Sequence, residues 1–220
     1  MILRSRPRVF LDIELYRPPT RRGRSGFFSD KTKLIAVSIA VDWGRKPGEL
    51  ISWTWVSRDE KDLLRKTLST LRQYAGRRDQ KVLSGYGIFR LDIPFLIQRA
   101  ALIEPDLYYN MRETLLRGFI HVDMFQAALL AYTGKGLPSM ASFYSALRMA
   151  RGLDPVPEKP SGFNVHELYE RGNLEAIKKY SSREIGLIAH AYSLLLDPGP
   201  VYPERLPDEW RRLARILPEN

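Results

Sequence analysis

Asp12 and Glu14 lie two residues apart in "VFLDIEL", a run otherwise apolar enough to be a strand buried on both faces. Strand side chains alternate sides, so Phe10, Asp12 and Glu14 share one face, and Val9, Leu11, Ile13 and Leu15 the other. Two like charges then stand about 7 Å apart on one side of the element. Burying them costs several kcal/mol per charge unless a basic partner or a divalent cation compensates; an exposed strand end would instead leave both solvated. Another acid, Asp92, stands in "GYGIFRLDIPFL", where a strand ends in a glycine turn and a helix begins near Pro94. Asp92 there has the position of a helix N-cap, and the glycine-aromatic approach lets a backbone or a base come close to Tyr86 and Phe89. Glu184 follows Tyr180 by four residues in "YSSRE", which puts the two on one helix face, one turn apart.

Composition narrows what these groups can do. The chain of 220 residues has no cysteine and three histidines, so thiolate sites and thiol nucleophiles are excluded and any metal site must be mainly carboxylate. Lys and Arg number 35 against 25 Asp and Glu, a formal charge of +10 that favours a polyanionic partner such as nucleic acid. Most of the positive residues are Arg, suited to bidentate phosphate contacts. Directly after the acid pair, "YRPPTRRGRSGFFSDKTK" gathers Arg17, Arg21, Arg22, Arg24, Lys31 and Lys33 with Phe27 and Phe28. Basic and aromatic residues interleaved in a Pro- and Gly-containing segment predict a mobile loop that holds single strands by phosphate contact and base stacking; an ordinary solvated loop is the plainer alternative. The absence of cysteine and the many ionic side chains are compatible with a thermophilic source. No apolar run reaches the length of a membrane span and the start lacks a secretory pattern, which predicts a soluble, intracellular protein.

The elements that must position these residues follow from periodicity. "VFLDIEL", "KLIAVSIAVDW" and "ELISWTWV" predict three strands in a meander, the last two joined by a turn at "GRKPG". A helix follows, capped by Ser57 or Asp59, with Leu63, Leu64, Leu68 and Leu71 on one face. "KVLSGY" and "GFIHVDMF" predict two more strands around a helix at "IPFLIQRAALI". His121 and Asp123, alternate residues on that last strand, fit a hydrogen-bonded core pair better than an additional metal pair, and Trp53 and Trp55 share a face as packing residues. The second half is helical, broken by the Pro-rich "LDPVPEKPSGFN", and "DEWRRLARILPEN" predicts a short surface helix. Strands, a helix, further strands and flanking helices describe one α/β domain of the ribonuclease H type, a mixed five-stranded sheet with a core at about 8–197 and a helical tail at 198–220. No glycine-rich nucleotide-binding loop is present.

Taken in order, the three acidic stretches resemble the exonuclease motifs of the DEDD superfamily, tyrosine type, as found in the proofreading 3′ to 5′ exonuclease domain of family B DNA polymerases. The counterparts are Asp12 and Glu14 in "FLDIEL", Asp92 in "GYGIFRLDIPFL", and Tyr180 with Glu184 in "YSSRE"; "HVDMF" also looks like the strand that follows the second motif. The resemblance implies a stand-alone 3′ to 5′ exonuclease acting on single-stranded nucleic acid, DNA before RNA, with two divalent cations, Mg²⁺ or Mn²⁺. By motif, Asp12 bridges both ions, Glu14 and Glu184 complete the first, Asp92 holds the second, and Tyr180 orients the attacking water. Gly87 stands where the family has Asn, and Glu184 where it has Asp. The longer Glu moves its oxygens by more than about 1 Å, so a catalytically impaired binding module is the alternative, and a ribonuclease H-type endonuclease another. The superfamily's histidine variant is excluded, because Gln126, Arg171 and Leu195 occupy the positions five residues after His121, His166 and His190.

Overall fold

The computed structural model describes residues 7–21, 23–43, 50–76, 81–156 and 164–218; Arg22, the "GRKPG" turn and residues 157–163 of the Pro-rich connector lie outside the described residues. The strands are β1 (Arg8–Tyr16), β2 (Pro19–Thr20), β3 (Gly23–Arg24), β4 (Lys33–Asp42), β5 (Leu50–Val56), β6 (Lys81–Gly85) and β7 (Phe119–Asp123). Five of them form one sheet in the order β5-β4-β1-β6-β7, and β2 pairs with β3 in a small separate hairpin. β1 runs antiparallel to β4, which runs antiparallel to β5, whereas β6 is parallel to both β1 and β7. This is the mixed, ribonuclease H-like α/β sheet expected, and it makes the acid-bearing strand the central one.

The helices α1 (Glu60–Tyr74), α2 (Asp92–Ile103), α3 (Pro105–Arg117), α4 (Met124–Ala131), α5 (Met140–Ala150), α6 (Val165–Glu170) and α7 (Leu174–Leu196) cover both faces. The alternation of β1 divides the core as its sequence dictates. Val9, Leu11, Ile13 and Leu15 pack with Leu63, Leu64, Leu68 and Leu71 of α1 and with Phe95, Met111 and Leu115 of α2 and α3. Trp53 and Trp55 pack at the margin of that cluster. Phe10, on the face shared with the acids, packs instead with Met124, Phe143, Ile185, Ile188 and Tyr192 from α4, α5 and α7. Asp59 caps α1 by accepting from the Asp62 amide.

Three helices, α3, α4 and the short α6, have no counterpart in the sequence-based expectation. α3 begins with Pro105 at a favoured first-turn position and buries Leu107, Met111 and Leu115 at a four-residue spacing. α4 starts where Asp123 caps it. The terminal segment also differs: residues Asp208–Arg215 form a 3₁₀ stretch that inserts Trp210 and Leu213 into the second core cluster, so the segment belongs to the core and is not a surface addition.

The segment between β1 and β4 is anchored, contrary to the mobile loop its composition predicts. Gln98 Nε2 donates to Phe28 O at 2.9 Å, and Arg99 Nη1 to Asp30 O at 3.1 Å. The same Arg99 grips Glu60 in a two-point fork, Nε to Oε1 at 2.7 Å and Nη2 to Oε2 at 2.5 Å, while Glu60 Oε1 also accepts from the Leu34 amide. Arg99 is 7% exposed, so removing the fork leaves a carboxylate and a carbonyl desolvated without replacement. Arg99→Met is expected to lower stability by about 3–5 kcal/mol in urea unfolding, the usual cost of orphaning one member of a buried pair.

Candidate active site

β6 ladders only with Arg8, Val9 and Phe10 of β1 and then stops, so Asp12 and Glu14 continue along β1 past the carboxyl end of β6. On the other side they keep their pairing with β4, Asp12 opposite Ser38 and Glu14 opposite Ala36. The register jumps between Glu14 and Leu15, whose partners are Ala36 and Leu34, which makes Ile35 the extra residue of a β-bulge beside Glu14. Both acids are half-buried, so the strand end is not simply solvated.

The segment after β6 folds back toward these acids. A Cβ at Gly85 would stand 2.6 Å from Leu11 O and 2.3 Å from the Ile88 side chain, so only glycine allows the turn to lie this close to β1. Gly87 follows with φ of +86°, a region that glycine enters freely and that Asn tolerates better than most residues. Glycine at this position thus suits the turn. The turn is fastened by Asp123 at the end of β7: Oδ1 accepts from Gly87 N at 2.7 Å and Phe125 N at 3.0 Å, and Oδ2 from Phe89 N at 3.2 Å.

Asp92 thereby becomes the first residue of α2, 5% exposed. Leu91 is the N-cap and no side chain caps the helix, so the capping account of Asp92 does not hold. Burial pushes the Asp92 carboxyl well above the usual carboxylate range, and the charges of Asp12, Asp123 and Glu14 push it further. Acids from three separate elements, β1, β7 and the head of α2, therefore converge at the end of β6.

α7 supplies the remaining pair. It crosses β1, β4 and β5 on the face from which Phe10, Asp12 and Glu14 project. Its Tyr192 meets the Phe10 ring at 5.4 Å, and its Ile177 packs with Ile35 and Ala36, the latter opposite Glu14. The segment between these contacts carries Glu184, 8% exposed, and the half-buried Tyr180. Among the described residues no three His, Asp or Glu side chains stand together as a ready-made metal ligand set.

The expected nucleic-acid contacts divide into two groups. Phe27, Phe28 and Phe89 are 44%, 46% and 48% exposed, and Arg21 is exposed. Arg17 and Arg24 also hold the hairpin together: Arg17 Nε donates to Ser25 O at 2.6 Å, and Arg24 Nη1 donates to Arg17 O at 2.9 Å and lies 3.6 Å from Glu170. Tyr86 differs from the sequence expectation. Its ring, half-buried, packs against Phe125 and Phe143, and its hydroxyl donates to Pro138 O at 2.7 Å, so its polar end is taken up within the protein. Burial and the nearby Asp123 charge push its phenol above the usual value. His121 and Asp123 do not bond to each other; the His121 Nε2 lies 2.6 Å from Leu115 O.

Two residues have roles at the site that the sequence does not indicate: Asp123, which reads there as a core partner of His121, and His166, which reads as no site residue at all. Asp123 is the fastener of the Asp92 turn. His166 of α6 reaches the residue that follows β1 through its Nδ1, which accepts from the Arg17 amide at 3.2 Å, and with Glu14, Arg17, Phe27 and Leu91 it lines a cleft of about 510 Å³. Burial, then the charges of Arg24 and Arg17, hold the His166 pKa below its usual value. Only their distant contacts reveal these roles.

Compared with models of known families and with curated proteins, the chain matches none. The fold and the site define an α/β protein with a ribonuclease H-like sheet and an acidic centre on its middle strand. No helix among the described residues is long and apolar enough to cross a membrane.

Proposed function

We propose that this chain is a metal-dependent 3′ to 5′ exonuclease that removes nucleotides from single-stranded nucleic acid, DNA in preference to RNA. The observation that carries this reading is the crowding of the Asp92 carboxyl by Asp12, Glu14 and Asp123 in a buried position. A protein gains nothing in stability from such crowding, whereas a divalent cation relieves it. The donors are all carboxylate oxygens, the chemistry that Mg²⁺ and Mn²⁺ prefer.

Asp12, Glu14, Asp92 and Glu184 are the residues to hold two such ions. When bound, the ions lower the pKa of a water and stabilise charge on the phosphate and the leaving oxygen. The chain's own part is to position: Tyr180 offers a hydroxyl to orient the water, and the exposed Phe89 stacks a base near the Asp92 turn. The water oxygen forms a bond to phosphorus as the bond to the 3′ oxygen breaks; the proton lost by water and the one gained by the leaving oxygen balance, and a nucleoside 5′-monophosphate departs.

The test uses 5′-labelled and 3′-labelled DNA and RNA strands with Mg²⁺ or Mn²⁺. The expected outcome is a ladder shrinking from the 3′ end that disappears in Asp12→Ala, with Glu184→Asp as fast as the parent or faster. Internal cuts would indicate an endonuclease. Salt-sensitive binding with no cleavage in either metal would leave the binding-module reading, which the longer Glu184 side chain favours.

A further inference from the structure

We propose that the cleft beside Glu14 seats one unpaired nucleotide, with Phe27 as the platform for its base and His166 as a hydrogen-bond donor to it. The proposal rests on the nuclease reading of the neighbouring acids and extends it to elements outside the acidic stretches, the segment between β1 and β4 and helix α6. A cleft of about 510 Å³ is of ligand size, ligand pockets spanning about 300–1,000 Å³.

Three features show that this cleft is prepared for a flat, anionic guest. First, Phe27 is 44% exposed, yet the Arg17 guanidinium carbon lies 4.2 Å from its ring centroid, so the ring is held in place. An exposed aromatic already ordered in this way loses little entropy on stacking a base. Second, Arg17 is itself fixed, its Nε donating to Ser25 O at 2.6 Å, and this leaves the two Nη groups as donors for a phosphate. Third, the Nδ1 of His166 accepts the Arg17 amide hydrogen, so the neutral ring carries its proton on Nε2, which is then a donor. Arg17 joins all three features, through its backbone amide, its Nε and its guanidinium face. Glu14 lines the same cleft, so a guest that turns its phosphate to Arg17 keeps that anion away from the carboxylate.

The experiment measures binding without chemistry. Fluorescence anisotropy follows a 5′-labelled short oligothymidylate, and in parallel an oligouridylate, at fixed low salt with EDTA present. The parent is compared with Phe27→Ala, with His166→Phe, which keeps a ring beside Tyr16 but loses the N–H, and with Tyr109→Ala, which removes an aromatic that is 64% exposed and does not line the cleft. The expected result is a Kd raised about 5- to 100-fold by Phe27→Ala and about fivefold by His166→Phe, with Tyr109→Ala unchanged. Parental affinity in both cleft variants, or no binding by the parent, overturns the proposal. Weakened binding in the cleft variants of a protein that cleaves nothing in Mg²⁺ or Mn²⁺ supports the cleft while removing the nuclease reading, so the two fail separately.

Discussion

Asp92→Asn will unfold at a higher temperature than the parent at pH 7 in EDTA, and will cleave nucleic acid about 10³-fold more slowly in Mg²⁺. The two effects have one cause. Asp92 is 5% exposed, and burial together with Asp12, Asp123 and Glu14 raises its pKa well above the usual range. From the unfolded value near 3.9 up to the folded one, the native state holds a proton that the unfolded state has released. Stability therefore falls as pH rises through that window, and an amide at position 92 abolishes this contribution to the fall. A gain on the order of 2 kcal/mol, about 4–8 °C for a chain of this size, is the scale for relieving one crowded buried charge. On the proposed metal-binding reading, Mg²⁺ raises the melting temperature of the parent by binding the folded state alone, and does so less for the variant. Melting curves between pH 4 and 8, with EDTA and with Mg²⁺, check all of this. A variant that melts lower than the parent at every pH would mean that the Asp92 carboxylate is a structural anchor and not one member of a strained acidic centre.

The parts of the site visible in the sequence are those whose geometry is local. Alternation with a period of two places Asp12 and Glu14 on one face of β1, and the structure sends Phe10 from that face into one core cluster and Leu11 into the other. Gly85, Gly87 and Pro94 announce the turn before α2 because glycine admits a close approach or a positive φ that other residues resist, and proline fixes its own φ, all within a few residues. What eluded the sequence depends on contacts between distant segments. Tyr86 reads in sequence as a stacking platform, whereas its ring packs against Phe125 and Phe143 and its hydroxyl is tied to the Pro138 carbonyl, 52 residues away. The Pro- and Gly-containing loop looked mobile because its composition says nothing of Gln98 and Arg99, which fasten it from α2. His166 meets the Arg17 amide across 149 residues, and no local pattern marks it. The acid at 92 was legible as a chemical group, but its being buried without a capping role was not, since an Asp two residues before Pro is an ordinary N-cap signal.

Asp123 offers the largest effect outside the acids expected to bind metal, and its two simplest variants should separate. Its carboxylate accepts three backbone N–H bonds, two at Oδ1 from Gly87 and Phe125 and one at Oδ2 from Phe89. Asp123→Ala orphans all three at a residue that is 8% exposed, and at about 1–3 kcal/mol per unsatisfied buried donor the expected loss is at least about 3 kcal/mol in urea unfolding. Asp123→Asn can keep its carbonyl oxygen on Gly87 and Phe125, but then sets its NH₂ against the Phe89 N–H, donor facing donor. That variant should lose about 1–2 kcal/mol, with faster amide exchange at Phe89 and slow exchange retained at Gly87. Because Asp92 heads α2 at the end of the same turn, loosening at Phe89 should lower cleavage about 10- to 100-fold, the range for groups that orient ligands without touching the reacting atoms. Equal exchange rates at Gly87 and Phe89 in Asp123→Asn, or unchanged cleavage in Asp123→Ala, would show that the turn holds its shape without this carboxylate, and that the two glycines alone set the position of Asp92.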